Sequence, residues 1–105
     1  MSDTELAVKK VVSSKVNNKI TPPKMYKVVY INDDITSMSF VVETLCAFFD
    51  YTDGDAQAMA MKINDEGSAT VAVLPYEIAE QKGIEVTMLS RQNGFPLSIR
   101  LEPEA

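Results

Sequence analysis

The sequence predicts an α+β domain: a small three-stranded antiparallel sheet packed with three helices, in the order β-α-α-β-α-β. Three observations lead there. Short runs of β-branched and aromatic residues alternate with longer segments in which apolar residues recur at helical spacing. Turn-forming residues separate these segments. The strands are few and the helices amphipathic, so the helical stripes must be buried against a small sheet.

Each element has its own signal. Val and Tyr dominate Met25 to Ile31, the first strand. Thr36 is the expected cap of the first helix, its hydroxyl accepting from first-turn amides. Val41, Leu45, Phe48 and Phe49 then share one apolar face. The turn from Tyr51 to Asp55 opens a second helix, with Asp53 and Asp55 at its positive end. Ala56, Met59, Ala60 and Ile63 continue the spacing, and Gly67 supplies the left-handed stop. Ala69 to Leu74 reads as the second strand. Pro75 is expected in the first turn of a third helix, where its missing N–H costs nothing. That helix runs towards Arg91, with Gly83 a weak point, and Gly94 and Pro96 end it. Leu97, Ile99 and Leu101 alternate with Ser98, Arg100 and Glu102, the pattern of a half-buried last strand.

A chain of 105 residues makes one domain. Residues 1–24 read as a flexible N-terminal extension, with a marginal helix over Thr4 to Val12, ahead of a core domain at 25–105. The extension holds five lysines against Asp3 and Glu5, whereas the core holds five basic side chains against thirteen acidic ones. An acidic core repels phosphates, so nucleic acid is not an expected partner. It suits a cationic ligand. No apolar run is long enough to span a membrane and no signal-peptide pattern opens the chain, so the expected compartment is the cytoplasm. The single cysteine, Cys46, cannot form an internal disulfide and is expected as a buried thiol. The chain has no histidine, which excludes Ser-His and Cys-His catalysis and imidazole-held metals.

The stretch "YINDDITSMSF" places an amide and two carboxylates, Asn32, Asp33 and Asp34, at the end of the first strand. A receiver-domain magnesium site would need five βα units and further residues that are missing here. A haloacid-dehalogenase-type D-x-D-x-T motif would need an aspartate at Asn32. A metal-dependent enzyme on Asp33 and Asp34 lacks further ligands. Two readings remain open on the residues alone. One is a polar turn that caps the next helix. The other is a cation site, in which Asn32 and Asp33 accept the ammonium protons of a peptide's free amino end. Met38, Val41 and Ile63 would line a hole for its first side chain. Hydrogen bonds to a charged group contribute about 1.5–3 kcal/mol each, and burying a large apolar side chain adds roughly 1.5–3 kcal/mol. After the cost of association, micromolar affinity is expected.

"PPKMYKVVYINDDITSM", "FVVETLCAFF" and "PYEIAEQK", in that order, resemble the ClpS adaptor proteins over about residues 22 to 102. The resemblance implies a non-enzymatic adaptor without cofactor or metal. Such adaptors bind proteins with a destabilising bulky N-terminal residue (Phe, Tyr, Trp or Leu), the N-degron, and deliver them to the ClpA or ClpC unfoldase of the Clp protease. It implies that Asn32, Asp33 and the position of Asn64 bind the amino terminus. Thr36, Met38, Val41, Ala60, Ile63 and Leu97 would wall the side-chain pocket, Met38 screening out β-branched termini. Glu77 and Lys82 would contact the unfoldase's N-terminal domain. The chain departs from the family pattern in four places. Asn64 stands where a histidine is usual, Ala60 where methionine is common, and Ser37 and Ser39 where Pro and Glu are usual. The alternative reading is an interaction module of the same fold with altered or lost end recognition.

Overall fold

The computed structural model describes residues 21–105. The extension expected at residues 1–24 lies outside the described residues up to position 20, as does the helix expected over Thr4 to Val12. The observed elements are β1 (Met25–Ile31), α1 (Met38–Phe49), α2 (Asp53–Glu66), β2 (Ser68–Pro75), α3 (Tyr76–Gln92) and β3 (Ser98–Pro103). The β-α-α-β-α-β order and the three-stranded antiparallel sheet are those the sequence predicts.

The sheet order is β2-β1-β3, with β1 antiparallel to both neighbours. The central strand alternates: Tyr26, Val28 and Tyr30 face the core beneath the helices. Val29 points the other way, between Thr70 and Arg100, and stays outside the main core cluster. All three helices therefore cover one face of the sheet. The pairing of β1 with β2 shifts between Val28 and Val29, which leaves Val71 as the extra residue of a bulge. The Tyr51 hydroxyl donates to the Val71 carbonyl at 2.6 Å.

Three local details differ from the expected ones. Ser37, not Thr36, caps α1: its hydroxyl accepts from the Phe40 N–H at 3.2 Å. Pro75 closes β2 and holds the cap position of α3, one residue earlier than expected, with no side-chain cap bond. Cys46 is half-buried rather than buried, and its thiol donates to Asp53 Oδ1 at 3.5 Å. Partial burial, and then that carboxylate, push its pKa up. Other expectations hold: Asp53 and Asp55 sit in the first turn of α2, and Gly67 ends it at φ 88°. Thr52, not singled out from the sequence, caps that helix. α1 ends on Asp50 in the left-handed region, at φ 61°. Gly83 is buried where α3 meets β3, and a Cβ there would lie 3.6 Å from Ile99 Cγ2.

Candidate functional site

The site forms where the end of β1, the start of α1 and the end of α2 meet. The Asn32 N–H donates to the Gly67 carbonyl at 2.9 Å, which ties the first residue after β1 to the residue that stops α2. Asn64 lies one helical turn before Gly67, so this tether brings its amide beside Asn32 and Asp33. Gly67 can make the turn because its φ suits a residue without Cβ.

The Asp33 carboxylate is held from within the loop. Oδ1 accepts from the Ile35 N–H at 2.8 Å and the Thr36 N–H at 2.6 Å, and Oδ2 accepts from the Thr36 hydroxyl at 2.7 Å. This is the part Thr36 plays instead of capping α1. Partial burial would raise the Asp33 pKa. The Thr36 amide and hydroxyl, the Ile35 amide and the positive charge of Arg91 outweigh it and hold the carboxyl below its ordinary value. A carboxylate offers about four acceptor positions, and these bonds occupy three, so one on Oδ2 is left for an external donor. Among the described residues, no protein group is hydrogen-bonded to the side-chain amides of Asn32 or Asn64.

A cavity of about 280 Å³ opens here, lined by Asn32, Asp33, Asp34, Thr36, Met38, Val41, Ala60, Ile63 and Asn64. It lies just below the range of about 300–1,000 Å³ usual for pockets that enclose a drug-sized ligand. The space suits one side chain and its backbone end. One side of the cavity is polar. The other combines Met38 and Val41 from α1 with Ala60 and Ile63 from α2. The electrostatics favour a cation, because the last turn of α2 has no basic residue to offset its negative end. Asp33 and Asp34 add to that field.

The structure thus brings together eight of the residues singled out from the sequence. Leu97 is the exception. It is 1% exposed, belongs to the core cluster and is absent from the cavity lining. Arg91 explains its position by donating to the carbonyls of Phe95 and Leu97, both at 3.0 Å, which fixes the backbone just before β3. Glu77 and Lys82 lie on α3, apart from the cavity. Glu77 is exposed in the first turn, and the Lys82 ammonium stands 5.9 Å from the Phe49 ring centroid. Asp34 lines the cavity and was not expected there. The sequence offered it as a turn residue or as a metal partner for Asp33, although its adjacency to Asp33 was a usable signal. Among the described residues no group of three or more Cys, Asp or Glu side chains could hold a metal ion, and no helix is long and apolar enough to cross a membrane.

Residues 21–100 match the family model of the ATP-dependent Clp protease adaptor protein ClpS. The fold is similar to the structure of Agrobacterium tumefaciens ClpS2 bound to L-phenylalaninamide, with a TM-score of 0.76 and 41% sequence identity. That match covers 79% of this chain and 100% of the other.

Proposed function

The chain belongs to the ClpS family of Clp protease adaptors, and on that premise we propose that its cavity receives the N-terminal residue of a protein to be degraded. Asp33 Oδ2 accepts one proton of the terminal ammonium, and the amides of Asn32 and Asn64 supply further acceptors. The first side chain enters the space between Met38, Val41, Ala60 and Ile63. The observation that carries the reading is the braced Asp33 carboxylate, ionised and with one acceptor position open, in a cavity of one-residue size that has an apolar wall opposite. ClpS2, of similar fold, was solved with an amino-acid amide, a ligand with a free α-amino group and an aromatic side chain. The direct test is a pair of peptides, Phe-initiated and N-acetyl-Phe-initiated, compared by fluorescence anisotropy. Only the free amine should bind at micromolar concentration, and equal binding would sink the proposal.

The size of residue 60 sets the preference among termini. Ala60 leaves room that a methionine would fill, so aromatic N-termini should bind more tightly than leucine. Ala60→Met should narrow that gap, because the added thioether packs against the smaller leucine side chain and crowds a ring. A wild-type protein that binds Leu-initiated peptides as tightly as Phe-initiated ones would contradict this.

Delivery uses a different surface. Glu77 and Lys82 on α3 contact the N-terminal domain of the ClpA or ClpC unfoldase, and the protein works in the cytoplasm. Glu77 is exposed and distant from the cavity lining, so its charge can be changed without touching the peptide site. Glu77→Lys should abolish co-elution with that domain while Phe-peptide affinity stays the same. Retained co-elution would remove Glu77 from the contact.

A further inference from the structure

A second apolar cavity, of about 410 Å³, adjoins the first and shares Met38 with it. Its other lining residues are Ser39, Val42, Gln57 and Met61. The two cavities follow from the helical repeat. On α1, Val41 faces the first and Val42 the second. On α2, Ala60 and Asn64 line the first, whereas Gln57 and Met61, each three residues earlier than those two, line the second. Residues four apart lie above one another on a helix, so each cavity takes one row of α2, and Met38 forms the ridge between them. Met38 is 43% exposed and Met61 56% exposed, which leaves two flexible apolar side chains facing solvent at the mouth of a site.

We infer that this second cavity is a subsite for the third residue of the bound peptide and that it favours an apolar side chain there. The inference rests on the proposed binding of the amino terminus in the first cavity. In an extended peptide, side chains one and three project to the same side, about 6.8 Å apart. A single methionine side chain is a ridge of suitable width between two such positions. The second side chain points away, towards solvent. Gln57 and Ser39 place polar groups at the rim, where the peptide backbone passes. Methionine adapts its shape at low cost, so the subsite selects for apolar character rather than for one side chain.

The test is a set of peptides that share a free N-terminal Phe: Phe-Ala-Ala, Phe-Ala-Leu, Phe-Ala-Asp and Phe-Leu-Ala, each extended by the same polar tail. Anisotropy with the full chain should show Phe-Ala-Leu binding about five- to tenfold more tightly than Phe-Ala-Ala, as expected for partial burial of the larger side chain. Phe-Ala-Asp should bind more weakly, and Phe-Leu-Ala should match Phe-Ala-Ala. In Met61→Asp, an exchange at an exposed helix position, the ratio of Phe-Ala-Leu to Phe-Ala-Ala affinity should fall to about one. Equal binding of all four in the wild type would overturn the subsite and leave terminus binding in place, as would a gain at the second position instead of the third. A ratio that survives in Met61→Asp would move the contact elsewhere. N-acetylated Phe-Ala-Leu binding as well as its free form would overturn both readings at once.

Discussion

Replacing Asp33 by alanine should weaken the binding of free-amine peptides at least tenfold. The lost interaction is a hydrogen bond to a charged group, worth about 1.5–3 kcal/mol, and the partial exposure of the site places it in the lower part of that range. Two further variants separate charge from shape. Asp33→Asn keeps the turn through Oδ1 but puts an uncharged NH2 donor at the Oδ2 position, so most of the affinity should disappear. Thr36→Val keeps the carboxylate but removes its Oδ2 brace, and the loss should be smaller. A wild-type affinity in Asp33→Asn would refute an electrostatic role. The pH dependence is a second measurement of the same claim. Asp33 has a depressed pKa. Its bonds therefore stabilise the fold above the unfolded carboxylate's pKa, about 3.9, and that contribution is lost as pH falls through the lower folded value. At the other end, the peptide's own α-amino group loses its proton near about 7.7–8.0. With no histidine in the chain, binding should be flat from about pH 5 to 7 and weaken above about 8. A step near the ordinary imidazole range, about 6.5, would show that another group titrates in the site.

The fold was legible because its signals are repeated. Apolar spacing in α1 and α2, the glycine at position 67 and the alternation after Leu97 each point to one structure. Most of the cavity lining was legible too, since a polar cluster at a strand end beside helical apolar rows is a local arrangement. What escaped depends on contacts across the chain. Thr36 and Ser37 are adjacent hydroxyls, and either could cap a helix. Asp33 reaches forward to take Thr36, which leaves the cap to Ser37. The bulge at Val71 lies among small and β-branched residues that carry no turn signal, and Tyr51, twenty residues earlier, serves its carbonyl. Leu97 has the apolar character of a pocket wall, and only its burial in the core cluster, on a backbone fixed by the Arg91 bonds, sets it apart from the cavity lining.

Tyr30→Ala should cost about 3–5 kcal/mol, the usual effect of removing a large buried aromatic side chain, out of a total stability of about 5–15 kcal/mol for a domain of this kind. Tyr30 is 0% exposed and packs edge-on against Phe49, with ring centroids 6.1 Å apart. Its hydroxyl is 2.8 Å from Thr44 Oγ1, and the Thr44 hydroxyl donates to the Val41 carbonyl, also at 2.8 Å. The threonine proton is committed to Val41, so Tyr30 is the donor of the first bond. Burial pushes the phenol's pKa up, which keeps that proton in place across the working pH range. This chain of bonds links the residue two before Asn32 to a residue of the cavity wall. Binding should therefore be lost together with the fold, at a lower urea concentration than in the wild type, in Tyr30→Ala. The single changes divide the effect. Tyr30→Phe removes a donor and should cost about 1 kcal/mol, whereas Thr44→Val strands a buried hydroxyl and should cost about 1–3 kcal/mol. Once Thr44 is valine, converting Tyr30 to phenylalanine removes the stranded group. Urea unfolding of the double variant should then show a loss smaller than the sum of the two. If the two losses simply add, the two hydroxyls are not coupled.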